Sequence, residues 1–124
     1  FNGGRLWNIS DKRQSEKAYL PSTELRTLIQ NGLLESAIHG TSSLARNAAG
    51  VEMLGKTGTS LMVVNGKTDY TRTQGWWIGL YPADDPEVAI MTFVRNGRGA
   101  SDAAPNGGRA LATWLKLFNL NSHS

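Results

Sequence analysis

The segment Gly50-Val51-Glu52-Met53-Leu54-Gly55-Lys56-Thr57 satisfies the phosphate-loop pattern G-x-x-x-x-G-K-[ST] letter for letter. In such a loop, backbone amides would cradle phosphates, Lys56 would reach the outer phosphates and Thr57 would hold magnesium. The surroundings argue against it. A phosphate loop follows a buried strand and opens a helix, whereas Ser42 to Ala49 is too small and polar for a central strand. Gly58, Thr59 and Ser60 make a poor first helical turn, and the residues between the two glycines are mostly apolar, as in a strand. Overlapping this segment is a second candidate, Lys56-Thr57-Gly58-Thr59, whose meaning depends on the elements around it.

Other chemistry-bearing residues have plainer readings. The chain has no cysteine, which excludes disulfides, a thiolate zinc site and a cysteine nucleophile. His39 follows a helical segment and caps or solvates its end, while His123 lies in a polar tail. Asp84 and Asp85 sit between Pro82 and Pro86, where turn formation explains them better than acid–base pairing. Arg95 and Arg98 flank a loop and read as solvated. Trp76 and Trp77 are adjacent in a strand, so they face opposite sides and at least one belongs to the core.

The elements that must position these residues fit one domain of 124 residues, 40% hydrophobic and 19% charged. No run approaches the ~20 apolar residues of a membrane helix. The net charge is only +3, and the basic residues are scattered without interleaved aromatics, which speaks against nucleic acid as a partner. Residues 1–20 read as a loop or loosely packed extended arm. A helix is expected after Pro21, with Ser22 as N-cap, Glu24 in the first turn, and Leu25, Leu28, Ile29 and Leu33 at helical spacing. Gly32 weakens that helix and suggests close packing there; His39-Gly40 ends it. Thr41 to Gly50 reads as a short helical turn and a loop.

A strand-like run begins at Val51 and carries through Ser60. Asn65-Gly66 is a hairpin turn signal. Thr73 to Tyr81 and Val88 to Val94 are strand-like, and the short Pro82–Pro86 connection makes them an antiparallel pair. Asn96 to Gly99 is a loop. A closing helix carries the stripe Leu111, Trp114, Leu115 and Phe118, with 119–124 as a polar tail. The expectation is an α+β arrangement: an antiparallel sheet of about three strands flanked by helices.

Within that frame, Lys56-Thr57-Gly58-Thr59 resembles the K-T-G box of the penicillin-binding proteins and serine β-lactamases. Residues 33–41 resemble the family's helix and G-T segment before the box. Gly75 to Pro82, followed by Asp84-Asp85-Pro86-Glu87, resembles its next strand and hairpin, and the helix after Ala104-Pro105 resembles its closing helix. The likeness spans residues 21–118 in the family's order, and implies part of a penicillin-binding transpeptidase-type fold. It further implies acyl transfer, in which a serine helped by a lysine base attacks a D-Ala-D-Ala peptide or β-lactam carbonyl. Lys56 would then place positive charge beside the substrate carboxylate, and Thr57 and Thr59 would offer it hydroxyls. The Thr59 backbone N–H would form half of an oxyanion hole. Gly58 would leave the substrate an unobstructed approach. No cofactor or metal is implied.

Two family motifs are missing. No serine has a lysine three residues later: Ser10 is followed by Arg13, Ser43 by Arg46 and Ser60 by Val63. Neither S-x-N nor Y-x-N occurs. Both motifs precede the K-T-G box in the family, and the chain opens on Phe1 rather than Met. It therefore reads as the C-terminal part of a transpeptidase domain, without nucleophile and inactive alone. Its expected partners are a peptidoglycan stem peptide or β-lactam and the N-terminal remainder of the domain. The expected location is extracytoplasmic, on a membrane-anchored parent. The rival reading of another class is a non-catalytic cell-wall peptide binding or regulatory module; the phosphate-loop nucleotide binder ranks third.

Overall fold

The computed structural model describes residues 5–7, 15–17 and 20–122. Within the expected arm lie two short strands, β1 (Arg5–Trp7) and β2 (Ser15–Lys17), paired antiparallel. The rest of the arm, and the end of the tail with His123, fall outside the described residues.

Helix α1 runs Thr23–Ile38. The Ser22 hydroxyl accepts the Leu25 N–H at 3.3 Å, and Glu24 occupies the first turn, where the helix dipole favours a carboxylate. The His39 N–H, bonded to Glu35 and Ser36 carbonyls, closes it. Only Ala37 of this helix is buried; Leu25, Leu28 and Ile29 stay exposed. Gly32 faces open space, so the close packing expected there is absent. Helix α2 (Ser43–Ala49) ends in Gly50, whose φ of 70° is the left-handed cap glycine adopts without cost. The expected turn between 41 and 50 is thus a full if short helix.

Strands β3 (Leu54–Val64), β4 (Lys67–Tyr81) and β5 (Val88–Arg95) form one antiparallel sheet in the order β3-β4-β5. Asn65 and Gly66, with φ of 50° and 75°, make the tight turn between the first two, with both central residues left-handed. β3 starts at Leu54 rather than Val51, because the chain first leaves the α2 cap. β4 begins at Lys67, six residues before the Thr73 start expected from the sequence. Its pairing with β3 is irregular at a bulge: Leu61 pairs with Thr73 and Met62 with Asp69, so Tyr70, Thr71 and Arg72 bow out. Asp69 ties that bulge down, accepting from the Thr71 N–H, the Thr71 hydroxyl and the Arg72 guanidinium.

Helix α3 (Ala104–Ser122) follows a five-residue π-helical turn, Gly99–Ala103, and runs well into the expected tail. Its stripe is only half covered. Leu111 is buried and Leu115 partly so, whereas Trp114, expected to pack, stacks on Phe118 at the surface with ring centroids 5.2 Å apart. The core centres on Trp77, 1% exposed, against Ala37, Ala45, Met53, Ala103, Ala104 and Leu111. The indole Nε1–H donates to the buried Ser42 hydroxyl at 3.2 Å, and the Ser36 hydroxyl donates to the same oxygen at 3.1 Å. All helical packing onto Trp77 lies on one face of the sheet. Trp76 points the other way, as the alternation demands.

Candidate functional site

Lys56, Thr57, Gly58 and Thr59 are consecutive residues of β3, opposite Ile78, Trp77, Trp76 and Gly75 of β4. β3 is an edge strand, hydrogen-bonded to β4 alone among the described strands, so its outer side presents backbone groups to an extended ligand. Gly50, the first letter of the phosphate-loop pattern, caps α2, and Lys56 and Thr57 lie inside a strand. The order is helix then strand, the reverse of a phosphate loop, and no helix opens at Thr57. The nucleotide reading is therefore set aside.

Alternation divides the four residues between two faces. Thr57 and Thr59 share the helix-covered face with Trp77, and both hydroxyls are engaged there. The Thr57 and Thr41 hydroxyls lie 2.6 Å apart and share a hydrogen bond, which ties β3 to the turn between α1 and α2. The Thr59 hydroxyl accepts the Gly99 backbone N–H at 2.9 Å, which ties β3 to the π-turn. Each threonine keeps hydroxyl bonding capacity beyond these contacts. Lys56 alternates with them along the strand, and its Nζ donates to the Thr57 carbonyl at 2.6 Å. Among the described residues the ion pair formed is Arg72–Asp69, away from Lys56.

The segment from Asn96 to Ala103 is pinned across all three strands by threonines of that same covered face. Gly97 and Thr73 exchange two bonds, the Gly97 N–H donating to the Thr73 carbonyl (3.0 Å) and the Thr73 hydroxyl to the Gly97 carbonyl (2.9 Å). Gly99 donates to Thr59 on β3, and the Thr92 hydroxyl on β5 donates to the Ala103 carbonyl at 2.7 Å. Gly75 makes the crossing possible: a Cβ there would lie 2.3 Å from the Arg98 carbonyl carbon. Asp102 holds the turn's entry, accepting from the Arg98 N–H at 2.8 Å and the Ser101 hydroxyl at 3.0 Å. Those bonds hold its carboxyl below the ordinary value of 3.8. The sequence named Lys56 to Thr59 but neither Gly99 nor Asp102, because a bond spanning forty residues leaves no local pattern.

A shallow depression of about 480 Å³ brings Lys56 together with Thr41, His39 and Glu35 at the end of α1. A larger concavity, about 680 Å³, lies between α1 and the Tyr81–Pro82 turn and includes Asp84 but none of the four β3 residues. Volume and chemistry thus point to different places, and the edge strand with its cation and hydroxyls is the one that can orient an anionic peptide. Among the described residues no helix is long and apolar enough to cross a membrane. Asp85, Arg95 and Arg98 stay at the exposed surface.

Residues 10–113 match the penicillin binding protein transpeptidase domain, and the chain belongs to that family. No curated protein matches it. Among solved structures it is similar to penicillin-binding protein 2B of Streptococcus pneumoniae, with a TM-score of 0.65 and 19% identity over 85% of this chain and 17% of that one. It is also similar to the D,D-transpeptidase domain of a peptidoglycan glycosyltransferase from Eggerthella lenta, with a TM-score of 0.64 and 22% identity over 96% of this chain and 30% of that one. A complex of penicillin-binding protein PBP2 and MreC from Helicobacter pylori gives a TM-score of 0.61 and 26% identity over 90% of this chain and 21% of the matched one. The chain thus spans well under half the length of these relatives. Its three-stranded antiparallel sheet with three helices is the α+β fold of a transpeptidase domain, in part.

Proposed function

We propose that this chain forms the K-T-G wall of a D-Ala-D-Ala-recognising serine transpeptidase that cross-links peptidoglycan outside the cytoplasmic membrane, on a membrane-anchored parent. The observation that carries the reading is the family's K-T-G box lying on a free sheet edge, with a cation and two hydroxyls around a glycine. The nucleophilic serine and its lysine base belong to the remainder of the domain. The serine oxygen bonds to the carbonyl carbon of the penultimate D-Ala, and its proton passes through the lysine to the departing D-Ala nitrogen as the C–N bond breaks. An acceptor amine then takes the acyl group and frees the serine. Lys56, with Thr57 and Thr59, holds the terminal carboxylate, and the Thr59 N–H stabilises the oxyanion as charge develops there.

The open face of the sheet supports the missing remainder. Trp76, Ile78, Met91 and Phe93 form two adjacent cross-strand pairs there, each residue at least 40% exposed. A monomer seldom leaves such a cluster uncovered. The Eggerthella transpeptidase domain has ample extra chain, since this chain covers 30% of it.

Fluorescent penicillin tests the reading. The native polypeptide is expected to label covalently, and Lys56→Ala to slow labelling about 10- to 100-fold, the worth of a charge-assisted hydrogen bond. Labelling indifferent to Lys56 overturns the assigned role. A native polypeptide that binds stem peptide but never acylates would instead support the non-catalytic module.

A further inference from the structure

We propose that Asp102 is a positioning residue for Thr59: it fixes the Arg98–Gly99 backbone so that the Gly99 N–H occupies one side of the Thr59 hydroxyl and leaves its proton to point at the ligand. The inference rests on the K-T-G reading and extends it to a residue that never touches the substrate.

Three observations carry it. First, the polarity of the contact is fixed. An amide N–H can only donate, so the Thr59 oxygen is the acceptor in the 2.9 Å bond from Gly99, and the hydroxyl proton must go elsewhere. Thr59 is exposed on the edge strand, so that proton is available to an incoming carboxylate. A threonine without the Gly99 contact could equally turn its lone pairs outward, and those repel an anion.

Second, the Gly99 amide has little freedom to move. A Cβ on Gly99 would lie 2.5 Å from the Gly58 carbonyl oxygen and 2.8 Å from the Gly58 nitrogen, so backbone packs directly on backbone beside the K-T-G box. Third, Asp102 is the clasp of that arrangement. Its carboxylate accepts the Arg98 N–H at 2.8 Å while its own N–H donates to the Arg98 carbonyl at 3.1 Å. Such reciprocal bonding at a turn entry resembles a capping box and locks Arg98 in extended geometry, one residue before the donating amide. π-helical turns of this kind recur at functional sites.

The test compares acylation of the native polypeptide by fluorescent penicillin and by the same probe with its carboxylate esterified. Asp102→Ala is expected to slow the carboxylate-bearing probe about tenfold and the ester less than twofold, because the Thr59 hydroxyl answers only to the carboxylate. Asp102→Asn, which keeps a neutral acceptor oxygen, is expected to fall between, near threefold, again for the acid probe alone. If Asp102→Ala does not fold, that variant decides the question. In a Thr59→Val background neither substitution is expected to add to the loss.

Equal slowing of both probes, or an Asp102 effect that persists without the Thr59 hydroxyl, overturns the positioning role. The two levels of failure separate cleanly. If Lys56→Ala and Thr59→Val themselves slow acid and ester alike, the K-T-G reading falls and the Asp102 role with it. If those two discriminate and the Asp102 variants do not, only the positioning role falls.

Discussion

A Cβ on Gly58 would meet nothing closer than the Trp76 Cβ, at 3.8 Å, an ordinary contact. The fold of the described residues therefore has no steric need for glycine here. A strand glycine costs about 0.5–1 kcal/mol relative to alanine. Gly58→Ala is thus expected to leave thermal stability unchanged or slightly raised while cutting penicillin acylation, because the added methyl group obstructs the ligand. Lower stability together with unchanged labelling would contradict this. Gly75 and Gly99 are different, since a Cβ on either collides with backbone. Nothing in the residue types distinguishes the two cases; Gly58 was legible through its place in the K-T-G box, Gly75 and Gly99 only through the crossing they permit. Two carboxylates give the fold an acid sensitivity. The Thr71 hydroxyl, the Arg72 guanidinium and the Thr71 N–H hold Asp69 down to about 2, and Asp102 is lowered by the Arg98 N–H and the Ser101 hydroxyl. A depressed folded-state pKa means stability that is complete above the unfolded value near 3.8 and lost as pH falls through the folded one. Melting curves between pH 5 and 2 should therefore show a steeper acid loss for the parent chain than for Asp69→Asn, and parallel curves would contradict it.

Among the elements, the tight turn was the most legible feature, because Asn65-Gly66 supplies the two left-handed residues such a turn requires. The continuity of β4 was not. Lys67 to Arg72 has no apolar alternation, and what holds it in the sheet is pairing with β3 plus the Asp69 clasp on the bulge. Helix α2 was half legible: its seven residues, mostly small or polar, carry little periodic signal, and it forms by packing Ala45 under α3. The joint between α2, α3 and the sheet is the Trp77 ring. A Cβ on Gly107 would come within 2.1 Å of that ring, and one on Gly108 within 2.1 Å of the Ala45 carbonyl oxygen. Gly107→Ala is expected to destabilise the domain by about 1–3 kcal/mol through overpacking, despite alanine's better helix propensity. Trp77→Ala should cost about 3–5 kcal/mol and also leave the Ser42 hydroxyl without its indole donor. Chemical denaturation measures both, and a Gly107→Ala variant more stable than its parent would show that the ring yields where the account holds it rigid.

At the scale of the whole molecule, the sheet is covered on one face and open on the other. Sequence alternation separated Trp76 from Trp77 but said nothing of Phe93; the structure pairs Trp76 with Phe93 on the open face, their ring centroids 4.5 Å apart and both rings at least 40% exposed. Residue types alone do not name the surface that covers them; under the proposed function it is the remainder of the transpeptidase domain. In the complete domain, Phe93→Ala is expected to cost about 3 kcal/mol, as a buried aromatic does; a change within about 0.5 kcal/mol would mean the face stays in solvent. The central claim concerns the other exposed feature, the edge of β3, and the structure of the native polypeptide acylated by penicillin tests it most directly. The account predicts the ligand carboxylate beside Lys56, Thr57 and Thr59. It also predicts the acyl oxygen about 2.7–3.1 Å from the Thr59 nitrogen. An acyl group bound with its carboxylate elsewhere, and β3 empty along its edge, would contradict it.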